Sequence, residues 1–85
     1  EVNMNNIMIP LNKMPVGSLG KVKKLTSNGS IRRRMLDLGL ILDTIVEVLR
    51  TSPSGDPTAY QIRGAVIAFR AEEASQIFVE SILPE

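Results

Sequence analysis

The sequence predicts a mainly β domain: a small barrel of about five strands, with one short helix inserted after the first strand. Three observations predict it. Short apolar, β-branched runs recur between turn signals rich in Gly, Pro, Asn and Ser, as strands do. A single segment, Ile31 to Leu38, repeats its apolar residues at helical spacing. The chain has 85 residues, room for one core, and closing a five-stranded sheet removes the edges it would otherwise expose.

Ile7 to Leu11 is apolar but interrupted by Pro10, so it reads as an edge segment or extended lead-in rather than a central strand. Residues 1–10 are read as an N-terminal lead-in, partly disordered, whose polar start EVNMNN carries no signal-peptide pattern. Met14-Pro15-Val16-Gly17 is turn chemistry. Leu19, Val22 and Leu25, set among Gly20, Lys21, Lys23 and Lys24, suit a strand with one apolar face and a bend or bulge near Gly20. Thr26 to Gly29 is a loop, and Asn28 or Ser30 caps the helix that follows. Ile31, Met35 and Leu38 fall at i, i+4 and i+7, Leu36 widens the stripe, and Gly39 ends the helix in a left-handed conformation. Asp37 is spaced to pair with Arg33 or Arg34.

Ile41 to Thr44 re-enters the sheet, and Thr44 to Thr51 is a strand. Ser52 to Pro57, SPSGDP, is the strongest loop signal in the chain. Thr58 to Arg63 is the next strand, with Ala59 or Tyr60 and Ile62 choosing its faces. Arg63-Gly64 is a tight hairpin turn, and Ala65 to Arg70 follows as a largely buried strand. Ala71 to Ser75 is long enough for one helical turn, and Gln76 to Ser81 closes the sheet. The domain proper is thus read as 11–81, with 82–85 a C-terminal tail.

Composition narrows the chemistry. The chain has no Cys and no His, which removes disulfides, thiolate sites, and the commonest general base and transition-metal ligand. No Ser or Thr has a His companion, and neither G-x-x-x-x-G-K-[ST] nor G-x-G-x-x-G is present. Glu72-Glu73 is an adjacent carboxylate pair, but at a helix start it complements the dipole. Asp43 and Asp56 are loop carboxylates without calcium-loop spacing, leaving room for weak ferrous or other divalent metal binding at most. No catalytic residue, cofactor site or tight metal site is expected, and the chain reads as a non-enzyme. No apolar run reaches the roughly 18 residues of a membrane span.

Charge is unevenly spread. Up to Leu36 the balance is +7 − 1 = +6, and from Asp37 onward it is +3 − 8 = −5, against a net +1. The basic cluster Lys21, Lys23, Lys24 and Arg32 to Arg34 makes nucleic acid the rival partner. Against it, no aromatic is interleaved for base stacking, and the pI of about 8.5 is modest. At about 100° per residue, Arg32 and Arg33 stand about 100° and 200° from Ile31, so at least one points to water. Arg34, nearer the stripe, is partly buried or paired with Asp37. Arg32, Arg33, Arg34 and Asp37 are therefore the candidate partner-binding residues, and Arg63 sits apart at a hairpin tip.

Several runs carry a family resemblance. L-x-x-M-P-x-G-x-x-G-x-V-x-x-L from Leu11 to Leu25 resembles the opening of the ferrous iron transport protein A (FeoA) family. I-R-R-R-M-L-D-L-G-L from Ile31 to Leu40 is similar to its basic helix and Leu-Gly-Leu motif, and S-P-S-G-D-P-x-x-Y-x-I-R-G, I-A-F-R and E-A-S-Q-I-F-V follow in order. One departure stands after Leu40, where Leu42-Asp43 replaces a frequent Pro-Gly. The resemblance implies an SH3-like barrel. It also implies a cytoplasmic accessory or regulatory protein of ferrous iron uptake, whose partner is the cytosolic GTPase domain of the ferrous iron transporter. On this reading the chain meets the membrane only through the transporter, and binds no nucleic acid. The alternative it leaves is a nucleic-acid-binding module or one derived from iron-dependent repressors. A third reading, an arginine supplied in trans to the GTPase, has a chemical basis in the charge of phosphoryl transfer.

Overall fold

The computed structural model describes residues 7–82. Six strands form one antiparallel sheet: β1 (Met8–Pro10), β2 (Leu19–Leu25), β3 (Ile45–Thr51), β4 (Thr58–Ile62), β5 (Ala65–Phe69) and β6 (Ile77–Ile82). Two helices join them, α1 (Gly29–Asp37) between β2 and β3, and α2 (Ala71–Ala74) between β5 and β6. The sheet order is β1-β6-β2-β3-β4-β5.

This corrects the expected five-stranded closed barrel. There are six strands, and among the described residues no ladder joins β1 to β5, so the sheet stays open. Its β1 end is three residues long and stops at Pro10, which has no N–H with which to extend a ladder. The chain then turns through a 3-10 segment, Leu11–Lys13, that drops Leu11 into the core. Thus the apolar lead-in pairs as an edge strand, Ile9 opposite Val79. The expected disorder at residues 1–6 lies outside the described residues.

Period-two alternation builds the core. Val22 and Val79 face each other across β2–β6, Val46 faces Ile62, and Val48 faces Tyr60 across β3–β4, all essentially buried. Gly20 is also buried, and a Cβ there would meet Val79 Cγ2 at 2.9 Å, so the glycine admits the valine rather than marking a bulge. The bulge falls between Val22 and Lys24 instead, where the ladder to β6 shifts register. β5 is also not the buried strand expected: it ends the sheet, Val66 is 60% exposed, and Phe69 alone is fully buried. Residues 41–44 do not re-enter the sheet but form a turn, with Ile41 and Leu42 exposed and Asp43 at φ 72°. No helix among the described residues is long and apolar enough to cross a membrane.

The two oppositely charged halves meet across the sheet. Lys21 lies opposite Glu80, and Lys23 Nζ donates to Asp43 Oδ1 at 2.9 Å. That bond, and then the ammonium charge, holds Asp43 below the ordinary carboxylate value of 3.8. The same bond raises Lys23 above 10.5. The depressed carboxylate stabilises the fold above the unfolded value and ceases to do so as pH falls through the folded one. The raised ammonium stabilises below its unfolded value and ceases to as pH rises through its folded one. An NMR titration should therefore show the Asp43 midpoint moving up in Lys23→Met; an unmoved midpoint would mean that the pair does not persist in solution.

Candidate protein-interaction surface

Helix α1 is where the candidate residues lie, and its packing sorts them. Asn28 occupies the N-cap position in extended conformation without a side-chain cap bond, and Gly29 opens the helix at φ 64°. The far end is sealed more firmly. Leu40 N–H donates to the Met35 carbonyl at 3.0 Å and Gly39 N–H to the Leu36 carbonyl at 3.0 Å, a Schellman motif around Gly39 at φ 96°. Met35 alone is fully buried, and Ser27 Oγ donates to its sulfur at 3.2 Å. Ile31, expected on the buried stripe, is 40% exposed, because only the C-terminal half of this nine-residue helix lies over the core.

Arg34 turns inward. Its guanidinium lies 5.4 Å from the centroid of the Phe69 ring and donates to Glu73 Oε2. Glu73 Oε1 in turn accepts from the Arg70 N–H at 3.0 Å, opening α2. The expected Asp37 pairing is therefore not made; the acid that holds Arg34 comes from 39 positions later in the chain. Arg32 Nη1 donates to the Leu25 carbonyl at 3.1 Å, tying the helix to the end of β2 while leaving most of its donors free. Arg32, Arg33 and Asp37, with Gly29 and Leu36, surround a shallow depression of about 270 Å³. Three of the four candidate residues thus share one face, and Arg34 is a staple between helices.

Two features escape a sequence reading. Ile41 and Leu42, 51% and 64% exposed, follow the helix directly in a turn fixed by Asp43 N–H to the Val22 carbonyl, 2.7 Å, and Val22 N–H to the Thr44 carbonyl, 2.8 Å. Their apolar character suggests a strand; the signal for a turn is Asp43, a residue type that tolerates positive φ. Arg63 is likewise no isolated tip, since its side chain lies against Gly39. Among the described residues, no group of three or more His, Cys, Asp or Glu is placed to hold a metal ion.

Comparison with known proteins adds the following. The model of the FeoA domain family matches residues 9–81. The chain is 28% identical over 72 residues to a protein of Porphyromonas gingivalis named as a fusion of Fe(2+) transport protein A and the Fe(2+) transporter FeoB; the match takes in 85% of this chain and 8% of that protein. It thus spans a small part of this relative. A FeoA-like protein from Clostridium acetobutylicum is 32% identical with a TM-score of 0.83, over 92% of this chain and 91% of that one. A Stenotrophomonas maltophilia FeoA, solved with zinc and described as an SH3 domain protein, is 27% identical with a TM-score of 0.71, over 82% and 87% of the two chains.

Proposed function

The chain belongs to the FeoA family, and from that premise we propose that it is a non-enzymatic accessory domain of ferrous iron uptake. It acts in the cytoplasm by docking on the iron transporter, with the transporter's GTPase domain as its partner. The observation that carries this reading is the Porphyromonas gingivalis relative, in which a segment like this chain and a transporter share one polypeptide name. The geometry supports it: Arg32 and Arg33 stand at an open depression beside Leu36, a polar and apolar mixture suited to a protein patch bearing carboxylates. Nucleic acid fits worse, since Tyr60 and Phe69 are buried, which leaves the half-buried Phe78 as the one aromatic for base stacking.

The test is a pull-down with the whole transporter and with its isolated GTPase domain. Arg33→Ala, alone and with Arg32→Ala, should weaken binding by about 1–2 kcal/mol, roughly tenfold, with folding intact. Lys13→Ala, on the 3-10 turn, should leave binding unchanged. Equal binding by all variants, or submicromolar DNA binding at physiological salt, would overturn the reading.

A further inference from the structure

Strand β5 leaves one backbone edge unpaired among the described residues, because the sheet ends there and its ladder runs to β4 alone. The hairpin before it decides which groups face outward. Arg63 and Gly64 both take positive φ, 51° and 85°, so the two-residue turn is of type I′ and Ile62–Ala65 is its closing, hydrogen-bonded pair. The pattern then alternates along the ladder. Ala65, Ile67 and Phe69 bond to β4; Val66 and Ala68 aim their N–H and C=O groups at the open edge.

Proteins ordinarily guard such an edge with a charge, a proline or a bulge. β5 reads Ala-Val-Ile-Ala-Phe, has none of these, and pairs with β4 without a register break. We propose that this edge is a second interaction site, taking an extended segment of a partner protein as an added strand, with acidic residues at both ends of that segment.

Two features define the occupant. A cation stands at each end of the edge: Arg63 precedes β5, its stem against Gly39, and Arg70 follows it, 3.8 Å from Asp56, whose Oδ1 accepts from the Ala71 N–H; no acidic residue occurs from 57 to 71. Small side chains also run across the outer face, Ala68 opposite Ala59 and Ala59 opposite Arg50, bordering a depression of about 350 Å³. A large apolar side chain carried beside Ala68 by the incoming strand fills it. A second copy of this chain fits worse. Pairing β5 with itself about Ile67 sets Arg70 of one copy beside Gly64, and so next to Arg63, of the other; the like charges meet at both ends. The site uses none of the residues of the α1 surface and stands without the transporter.

The test uses the whole chain and two synthetic peptides, Asp-Thr-Val-Leu-Val-Thr-Glu and the same peptide with lysine at both ends. The acidic peptide should bind, and Ala68→Pro, which removes only an outward N–H, should weaken it at least tenfold. Amide exchange supplies a second readout that needs no variant. Val66 and Ala68 should exchange fast in the free chain and slow down with the acidic peptide, while Ala65 and Ile67 stay protected throughout. Equal binding of both peptides, or undiminished binding to Ala68→Pro, would overturn the proposal. So would protection of Val66 and Ala68 that grows with the chain's own concentration, which would make a second copy the occupant. Failure of the transporter pull-down leaves all these readouts unmoved.

Discussion

Phe69→Ala should lower the unfolding free energy by about 3–5 kcal/mol, the usual cost of emptying a buried aromatic site. The ring is fully buried, tilted against Tyr60 at a centroid distance of 5.9 Å, and lies under the Arg34 guanidinium. It is also the one fully buried residue of the end strand, with Ile67 half-buried beside it at the rim of the core. Against a total of about 5–15 kcal/mol for a domain, this is a large fraction of what the fold has to lose. Urea denaturation should show an earlier midpoint with the slope unchanged. A second comparison separates packing from charge. Arg34→Ala and Phe69→Leu should be non-additive by about 0.5–1 kcal/mol if the guanidinium and ring interact as placed. A loss below 1 kcal/mol in Phe69→Ala would mean that the ring is not packed as described.

Gly39→Val should cost about 2 kcal/mol, from two sources that can be told apart. The residue sits at φ 96°, where a side chain costs roughly 1–2 kcal/mol and a β-branched one fits worst. A Cβ there would also fall close to Arg63 Cδ, so the arginine stem has to move. Arg63→Ala should relieve the second source and not the first. In the double variant, thermal denaturation should recover part of the Gly39→Val loss and leave the rest. A melting temperature unchanged in Gly39→Val would remove Gly39 from the helix end.

What could be read from the residues alone follows the range of the interactions involved. Gly39, Arg63-Gly64 and the Ser52–Pro57 loop are local devices whose backbone needs are written in two to six neighbouring residues, and the structure has them where the sequence places them. The alternation of Val22, Val46, Val48, Ile62 and Val79 is equally local. Misreadings begin where a distant partner decides. Gly20 resembles a bulge until Val79 is set beside it. Arg34 has an acid three positions away in Asp37, yet its partner is Glu73, which the fold brings within reach from α2. β5 carries an apolar sequence and is exposed except at Ile67 and Phe69, since hydrophobicity alone does not say whether a strand ends a sheet. Of the four residues chosen for partner binding, the helix period sets Arg34 apart, nearer the apolar stripe, but does not give Glu73 as its partner or the shared depression of Arg32, Arg33 and Asp37.

The place of β6 between β1 and β2 bears on how the chain acquires this structure. Val22 meets Val79 across 79 − 22 = 57 positions, and Ile9 meets the same residue across 70. Closing loops of that length precedes any gain from the contacts, which makes such topologies slow to fold. The β4–β5 hairpin and α1 need only near neighbours and are free to form early. On a ribosome, the apolar face of β2 therefore waits, unpaired on its β6 side, until residue 82 has emerged. The final strand is the one that commits the whole domain, and a nascent chain halted before it presents β2 to whatever chaperone or neighbouring strand is at hand.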